Sequence, residues 1–205
     1  MTITNRNLRA LFLAAALCLA AGWLSLSAAQ GAGGAGTFTD TRDGKIYKTV
    51  TIGGKRWLAE NLNHNLKNSG CYGDDDSNCS KYGRLYDWKT GMMACPSGWH
   101  LSTRMEWDDL VKSTGGNQAG NALKSSSGWN NRGNGTDKYG FSALPGGDRY
   151  AGGSFGNAGS HGNWWTATEG VASNAYYRYM LYNYDDVYEF NGGKSRAFSV
   201  RCVKD

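Results

Sequence analysis

The chain has 205 residues, with 22 Lys+Arg against 17 Asp+Glu and a formal net charge of +5. The two signs are interspersed along the sequence, so there is no basic face of the kind nucleic acid requires. The length suits one domain with a core of useful size.

Residues 1–29 read as a signal peptide. Arg6 and Arg9 form a positive leader, 10–26 is an apolar run, and Ser27-Ala-Ala29 supplies small residues before Gln30. The apolar run is shorter than the ~20 residues a bilayer span needs. Cys18 lies inside it behind Leu17, where a lipoprotein signal would place a small residue. The expectation is an exported protein at the cell surface, in the periplasm or outside the cell, with no membrane span in the mature chain. Residues 30–36 are Gly/Ala-rich and read as a flexible leader.

In the mature part, 45–52 alternates as a strand with Ile46, Val50 and Ile52 on one face. Gly53-Gly54 then marks a tight turn into a second strand over 55–61. Residues 63–82 are polar and read as a loop. Thr103 and Glu106 make a capping box, and Trp107, Leu110 and Val111 fall at helical spacing, so a helix is expected over 103–114, ending at Gly115-Gly116. A shorter helix is expected over 118–124. Short strands are expected at 141–144, 164–168, 175–182, 187–190 and 197–203, separated by Gly/Asn-rich turns. In the last of them Phe198, Val200 and Cys202 alternate with Ser199, Arg201 and Val203, so Cys202 is expected to point inward.

Four cysteines follow the leader, Cys71, Cys79, Cys95 and Cys202. They permit three pairings. The turn-rich loop Cys71-Tyr-Gly-Asp-Asp-Asp-Ser-Asn-Cys79 favours closure on itself, which leaves Cys95 with Cys202. Zinc is the rival, but the cysteines are not spaced as paired knuckles and His64, His100 and His161 are scattered.

The blocks Cys71–Cys79, Lys81-Tyr-Gly-Arg-Leu-Tyr86, Cys95-Pro-Ser-Gly-Trp-His-Leu101, Trp164-Trp-Thr-Ala-Thr168 and Phe198-Ser-Val-Arg-Cys-Val203 resemble the Fibrobacter succinogenes major paralogous domain family. The resemblance runs over about 37–205 and implies an exported bacterial domain. More distantly, His100-Leu-Ser-Thr-Arg-Met-Glu-Trp107 is similar to formylglycine-generating-enzyme-like proteins, a branch of the C-type-lectin-like fold, though Ser102 stands where those have Pro and Ala197 where they have Gly. The expected fold is α+β and C-type-lectin-like, with short antiparallel strands, one strong helix, long loops and two disulfides.

Chemistry is sparse. Oxidases of the formylglycine-generating type need a reactive cysteine pair, and 164–198 holds no cysteine. The calcium-binding triplets of sugar-binding C-type lectins are missing, and the acidic run 74–78 lacks the Gly and closing Glu of an EF-hand loop. No catalytic residue, metal site or cofactor is expected. The informative segment is 176–188, where Tyr176, Tyr177, Tyr179, Tyr182, Tyr184 and Tyr188 are interleaved with Asn183, Asp185 and Asp186. Such Tyr/Asn mixtures suit binding surfaces. Tyr177, Tyr179 and Leu181 face one way and Tyr176, Arg178, Met180 and Tyr182 the other, so the second face needs a loop, a partner or a ligand over it. Of Trp164 and Trp165, one is expected in the core and the other nearer the surface, with His161 in a loop beside them.

The leading expectation is thus a non-catalytic recognition module for a glycan or protein. Its candidate contacts are Trp164, Trp165, Tyr176, Tyr179, Tyr182, Tyr184, Tyr188, Asn183 and Asp185. An oxidase-like enzyme and a structural envelope component are the alternatives.

Overall fold

The computed structural model describes residues 34–205. The expected signal peptide and residues 30–33 of the leader lie outside the described residues.

The first sheet is built around the hairpin. β1 (Gly36–Thr39) pairs antiparallel with β2 (Ile46–Ile52), which turns into β3 (Lys55–Leu58). Gly53 and Gly54 have φ of 59° and 77°, the two left-handed residues that a two-residue hairpin turn demands. Gly36 pairs with Thr49, so the leader expected to be flexible through residue 36 already ends in a strand. The second strand stops at Leu58 rather than 61, because the backbone then turns away and the Leu62 N–H bonds to Val200 O at 3.0 Å.

β4 (Ser69–Gly70), α1 (Asp76–Tyr82), β5 (Leu85–Asp87), α2 (Trp88–Gly91) and β6 (Trp99–Leu101) follow. The stretch expected to be a polar loop therefore contains a helix. Its acidic run is the start of α1, where the Asp75 side chain accepts the Ser77 N–H at 2.8 Å and carboxylates suit the positive end of the helix dipole. Next come α3 (Arg104–Thr114) and α4 (Ala119–Leu123). The expected capping box is formed: Thr103 accepts from the Glu106 N–H, and Glu106 accepts from the Thr103 N–H. Trp107 and Leu110 are buried and pack with Val50 and Ile52. Ile46 is 67% exposed instead, at the outer end of β2 opposite Thr39.

The remaining strands are β7 (Gly146–Arg149), β8 (Phe155–Ala158), β9 (His161–Glu169), β10 (Asn174–Leu181), β11 (Tyr188–Gly193), β12 (Ala197–Phe198) and β13 (Cys202–Lys204). No strand forms over 141–144. Phe141 and Ala143 are buried there as loop residues, with a single bridge from Ala143 to Lys124. The final expected strand is two: β12 pairs with β5 and β7, while β13 pairs with β3 and β6. Residues 199–201 cross between sheets, so both sides of 198–203 are buried, Cys202 included.

Two sheets result, in the orders β1-β2-β3-β13-β6 and β11-β10-β9-β7-β12-β5-β4, with β8 on β7. Among the described residues the named strands pair antiparallel except for a parallel contact of β7 with β9, and two isolated bridges, Lys124–Ala143 and Trp164–Ser199, are also parallel. The fold class is α+β. Disulfides join Cys71 to Cys79 and Cys95 to Cys202. No helix among the described residues is long and apolar enough to cross a membrane.

β9 separates two cores. Trp164 packs with Trp57, Trp107, Phe141 and Met180, and Trp165 with Tyr86, Leu58, Phe198 and Val200. Both tryptophans are fully buried. Adjacent strand residues do face opposite ways, but each side of β9 here meets a core.

Candidate functional site

β10 decides what the second sheet shows on each side. Arg178 and Met180 are buried on the face under α3. The Arg178 guanidinium lies 2.5 Å from both Asp108 of α3 and Glu189 of β11. Arg104, from the first turn of α3, donates to Glu189 at 2.8 Å and sits 4.6 Å above the Tyr176 ring. The helix and these ion pairs pack on this face, and Arg104 partly covers Tyr176, which stays half-buried.

The opposite face carries a ladder of rings. Trp165 and Phe198 are 4.4 Å apart, and Phe198 and Tyr177 are 4.6 Å apart. Tyr177 leads to Tyr179 at 5.8 Å, Tyr179 stacks on Tyr188 at 5.1 Å, and Tyr184 stands edge-on to Tyr188 at 6.0 Å. Phe190 lies beside Tyr177 at 6.3 Å. Exposure rises along the ladder. Trp165 and Phe198 are fully buried, Tyr177, Tyr179 and Tyr188 are half-buried, and Tyr184 and Phe190 are 50% and 60% exposed. Ring contacts of this kind stabilise by about 0.5–1.5 kcal/mol each beyond their area, which holds the outer rings in place. Of Tyr177, Tyr179, Tyr184 and Tyr188, only Tyr188 has a hydroxyl hydrogen bond among the described residues, to Asp186 at 3.3 Å.

An ion pair between buried Asp148 and partly exposed Arg196 lies on the ladder's flank. Asp148 is fully buried, accepts from Asn157 at 2.7 Å and pairs with Arg196 at 2.5 Å. The Arg196 guanidinium lies 4.9 Å from the Tyr150 ring and 5.2 Å from the Phe198 ring. His161, expected in a loop, is the first residue of β9. Burial pulls it below its ordinary value, partly offset by Asp148, so it is neutral near pH 7.

The nine expected contact residues therefore separate. Trp164 and Trp165 touch no solvent and spend their indole N–H groups on Asn61 Oδ1 and Tyr86 O, each at 2.8 Å. Neither is a contact residue, because two cores flank the strand that carries them. Tyr176 lies beneath Arg104. Tyr179, Tyr184 and Tyr188 come together on the ladder. Tyr182, Asn183 and Asp185 lie past the end of β10 and line a separate recess. Tyr177, noted in the tyrosine-rich segment but not among the expected contacts, joins the ladder, as do Tyr150, Phe190 and Arg196, which were not singled out. The alternation of β11 would have indicated Phe190, but nothing in the sequence ties Tyr150 or Arg196 to it.

Asp40, Asp43 and His64 form a cluster with ligand atoms within 4.8 Å of one another. Its charges are already matched. Arg42 holds Asp40 at 2.6 Å, and Asp43 accepts from His64 at 2.9 Å and Lys45 at 3.2 Å. Burial would raise Asp43, but those hydrogen bonds outweigh it and bring its pKa down to about 2. Arg42, Lys45 and His64 are thus the partners of these two carboxylates.

A family model described as the Fibrobacter succinogenes major domain matches residues 50–204. The chain belongs to this family. The part matched to the Fibrobacter succinogenes major domain includes both disulfides, the ladder and the recess, and leaves β1 outside. No curated protein and no solved structure matches the chain.

Proposed function

We propose that this protein is an exported, non-catalytic recognition module that binds a glycan or protein ligand on the open aromatic face of its second sheet, with a glycan the better fit. The ladder carries this reading: a rigid file of rings leaves the core and ends in exposed Tyr184 and Phe190. Sugar rings stack on such surfaces, while phenol tips meet their hydroxyls. Tyrosine makes these contacts at low entropy cost.

A C-type-lectin-like architecture is part of the proposal. It is supported by the placing of the first strands and the last strand in one sheet, by the Cys95–Cys202 bridge, and by long loops on that scaffold. Loops on a rigid frame are where recognition concentrates. Two disulfides favour an oxidising destination at the cell surface, in the periplasm or outside the cell. The oxidase-like alternative is disfavoured because the four described cysteines are spent on bridges, which leaves no thiol pair among the described residues.

The test is a glycan and protein binding screen on the oxidised full chain, with and without calcium. A saccharide bound by the wild type and lost in Phe190→Ala supports the proposal. Oxygen consumption by the copper- or iron-loaded protein would contradict it.

A further inference from the structure

Beside the ladder, a recess of about 300 Å³ opens between the β10–β11 turn and the loop that follows α4. That volume is at the small end for ligand sites. Its walls are pinned together. Gly133 lies against the Tyr182 carbonyl, closer than any Cβ allows, and Gly120 lies against the Asp185 and Asp186 carbonyls. The Asn121 N–H donates to Asp185 O at 3.2 Å. Asn131 and Arg132 are consecutive non-glycine residues in the left-handed region, at φ of 50° and 64°. Such a conformation persists where surrounding contacts hold it, and it concentrates at ligand clamps.

The chemistry of the lining is specific. Lys124 is 2% exposed, and its ammonium donates to Tyr184 O at 2.9 Å and Leu181 O at 3.4 Å. An ammonium has three protons, and the carboxylate in range of the third, Asp185, is 3.9 Å away and largely exposed. A buried lysine ordinarily has a closer counter-charge. Burial lowers the pKa of Lys124, with partial compensation from Asp185. At the rim Arg132 is exposed and forms no ion pair among the described residues, and the side-chain amides of Asn131 and Asn183 form no hydrogen bond among them. The recess thus offers two cations against one carboxylate, plus two amides that both donate and accept.

We infer that this recess binds one hexuronic acid unit, its carboxylate met by Lys124 and Arg132 and its hydroxyls by Asn131 and Asn183. A neutral sugar would leave the second cation unmatched. A phosphate would use the donors but leave the amide oxygens, which accept from hydroxyls, without partners. This inference rests on the reading of the chain as a glycan-recognition module, to which it adds an acid-specific subsite beside the stacking surface.

Two-dimensional NMR titration of the full chain with methyl glucuronide, methyl galacturonide, methyl glucoside and inorganic phosphate tests it. The expected result is that a uronide shifts the resonances of 131–134 and 182–185. The glucoside should bind at least about tenfold more weakly, a difference of roughly 1.4 kcal/mol. Arg132→Gln and Asn183→Ala are at exposed positions and should each weaken uronide binding by a similar factor. If neutral oligosaccharides bind at the ladder but uronides do not bind, the inference is overturned and the recognition module stands. If neither binds, both fall. Phosphate binding as tight as a uronide, or full uronide affinity in Arg132→Gln, also overturns it.

Discussion

Arg201 is the residue on which the two sheets converge. It is fully buried, and its guanidinium donates to Asn61 Oδ1 at 2.8 Å, Leu58 O at 3.1 Å, Phe141 O at 2.6 Å and Ser142 O at 2.8 Å. Burial pulls its pKa down to about 9, so it stays charged at neutral pH and is met by neutral oxygens. A second polar cluster responds to pH. Burial alone would lower His100 from 6.5, but hydrogen bonds to Asp205 at 2.6 Å and Glu106 at 3.0 Å outweigh it and raise its pKa. Burial alone would raise Glu106 from 4.5, but bonds from the Thr103 N–H, His100 and Lys55 outweigh it and lower its pKa. The Glu106 contribution is complete above 4.5 and fades as pH falls below it. The His100 contribution is complete below 6.5 and fades as pH rises through the folded value. Thermal melting across pH should therefore show a decline on the alkaline side of 6.5 that His100→Gln removes. Parallel curves for wild type and variant would contradict this assignment. Apart from the Thr103–Glu106 capping box, none of these partnerships was legible residue by residue. Alternation in 197–203 tells which residues share a face, but not that both faces are covered.

At the scale of elements, α3 was the most legible because its signals are local: a capping box, an apolar stripe and a Gly-Gly stop all lie within fourteen residues of sequence. The Thr103 hydroxyl and the Glu106 carboxylate satisfy backbone N–H groups reciprocally. Thr103→Ala is expected to cost about 1 kcal/mol, read as a lower midpoint in denaturant with unchanged slope. A midpoint equal to wild type would mean the cap adds nothing here. β7 and β8 were illegible for the opposite reason. Gly146-Gly-Asp-Arg149 and Phe155-Gly-Asn-Ala158 lack the β-branched alternation that marks a strand, and long-range pairing alone makes them strands. The helix at 76–82 was hidden by its acidic start, which reads equally as a turn. The ladder was half legible. Tyrosine density pointed to it, but only the position of α3 decides that the Tyr176 side is packed and the Tyr179 side open.

For the whole molecule, two bridges of very different span hold the scaffold. Cys95 and Cys202 are 107 residues apart in sequence, and Cys71 and Cys79 are 8 apart. In the chain-entropy account these loops are worth about 5 and about 2.5 kcal/mol respectively. Replacing Cys95 and Cys202 together by serine should lower the melting temperature more than replacing Cys71 and Cys79. The reverse order would show that local strain, not loop closure, sets their worth. The pairing was legible because the short loop's turn residues favour self-closure and leave one partner for each remaining cysteine. The crossing of 199–201 between sheets depends on contacts spread over the whole chain, and no local pattern encodes it.

The central claim is that the open ladder, held on this clasped frame, is the surface that meets ligand. The direct measurement is an NMR footprint of a saccharide found by screening, recorded on the wild type and on Tyr184→Ala and Phe190→Ala. Both substituted side chains are at least half exposed, so folding should be retained. The account predicts shifts centred on Tyr179, Tyr184, Tyr188 and Phe190, with a loss of about 2 kcal/mol in binding for an anchoring ring. A footprint at the opposite pole, over residues 63–82, or unchanged affinity in both variants, would contradict it.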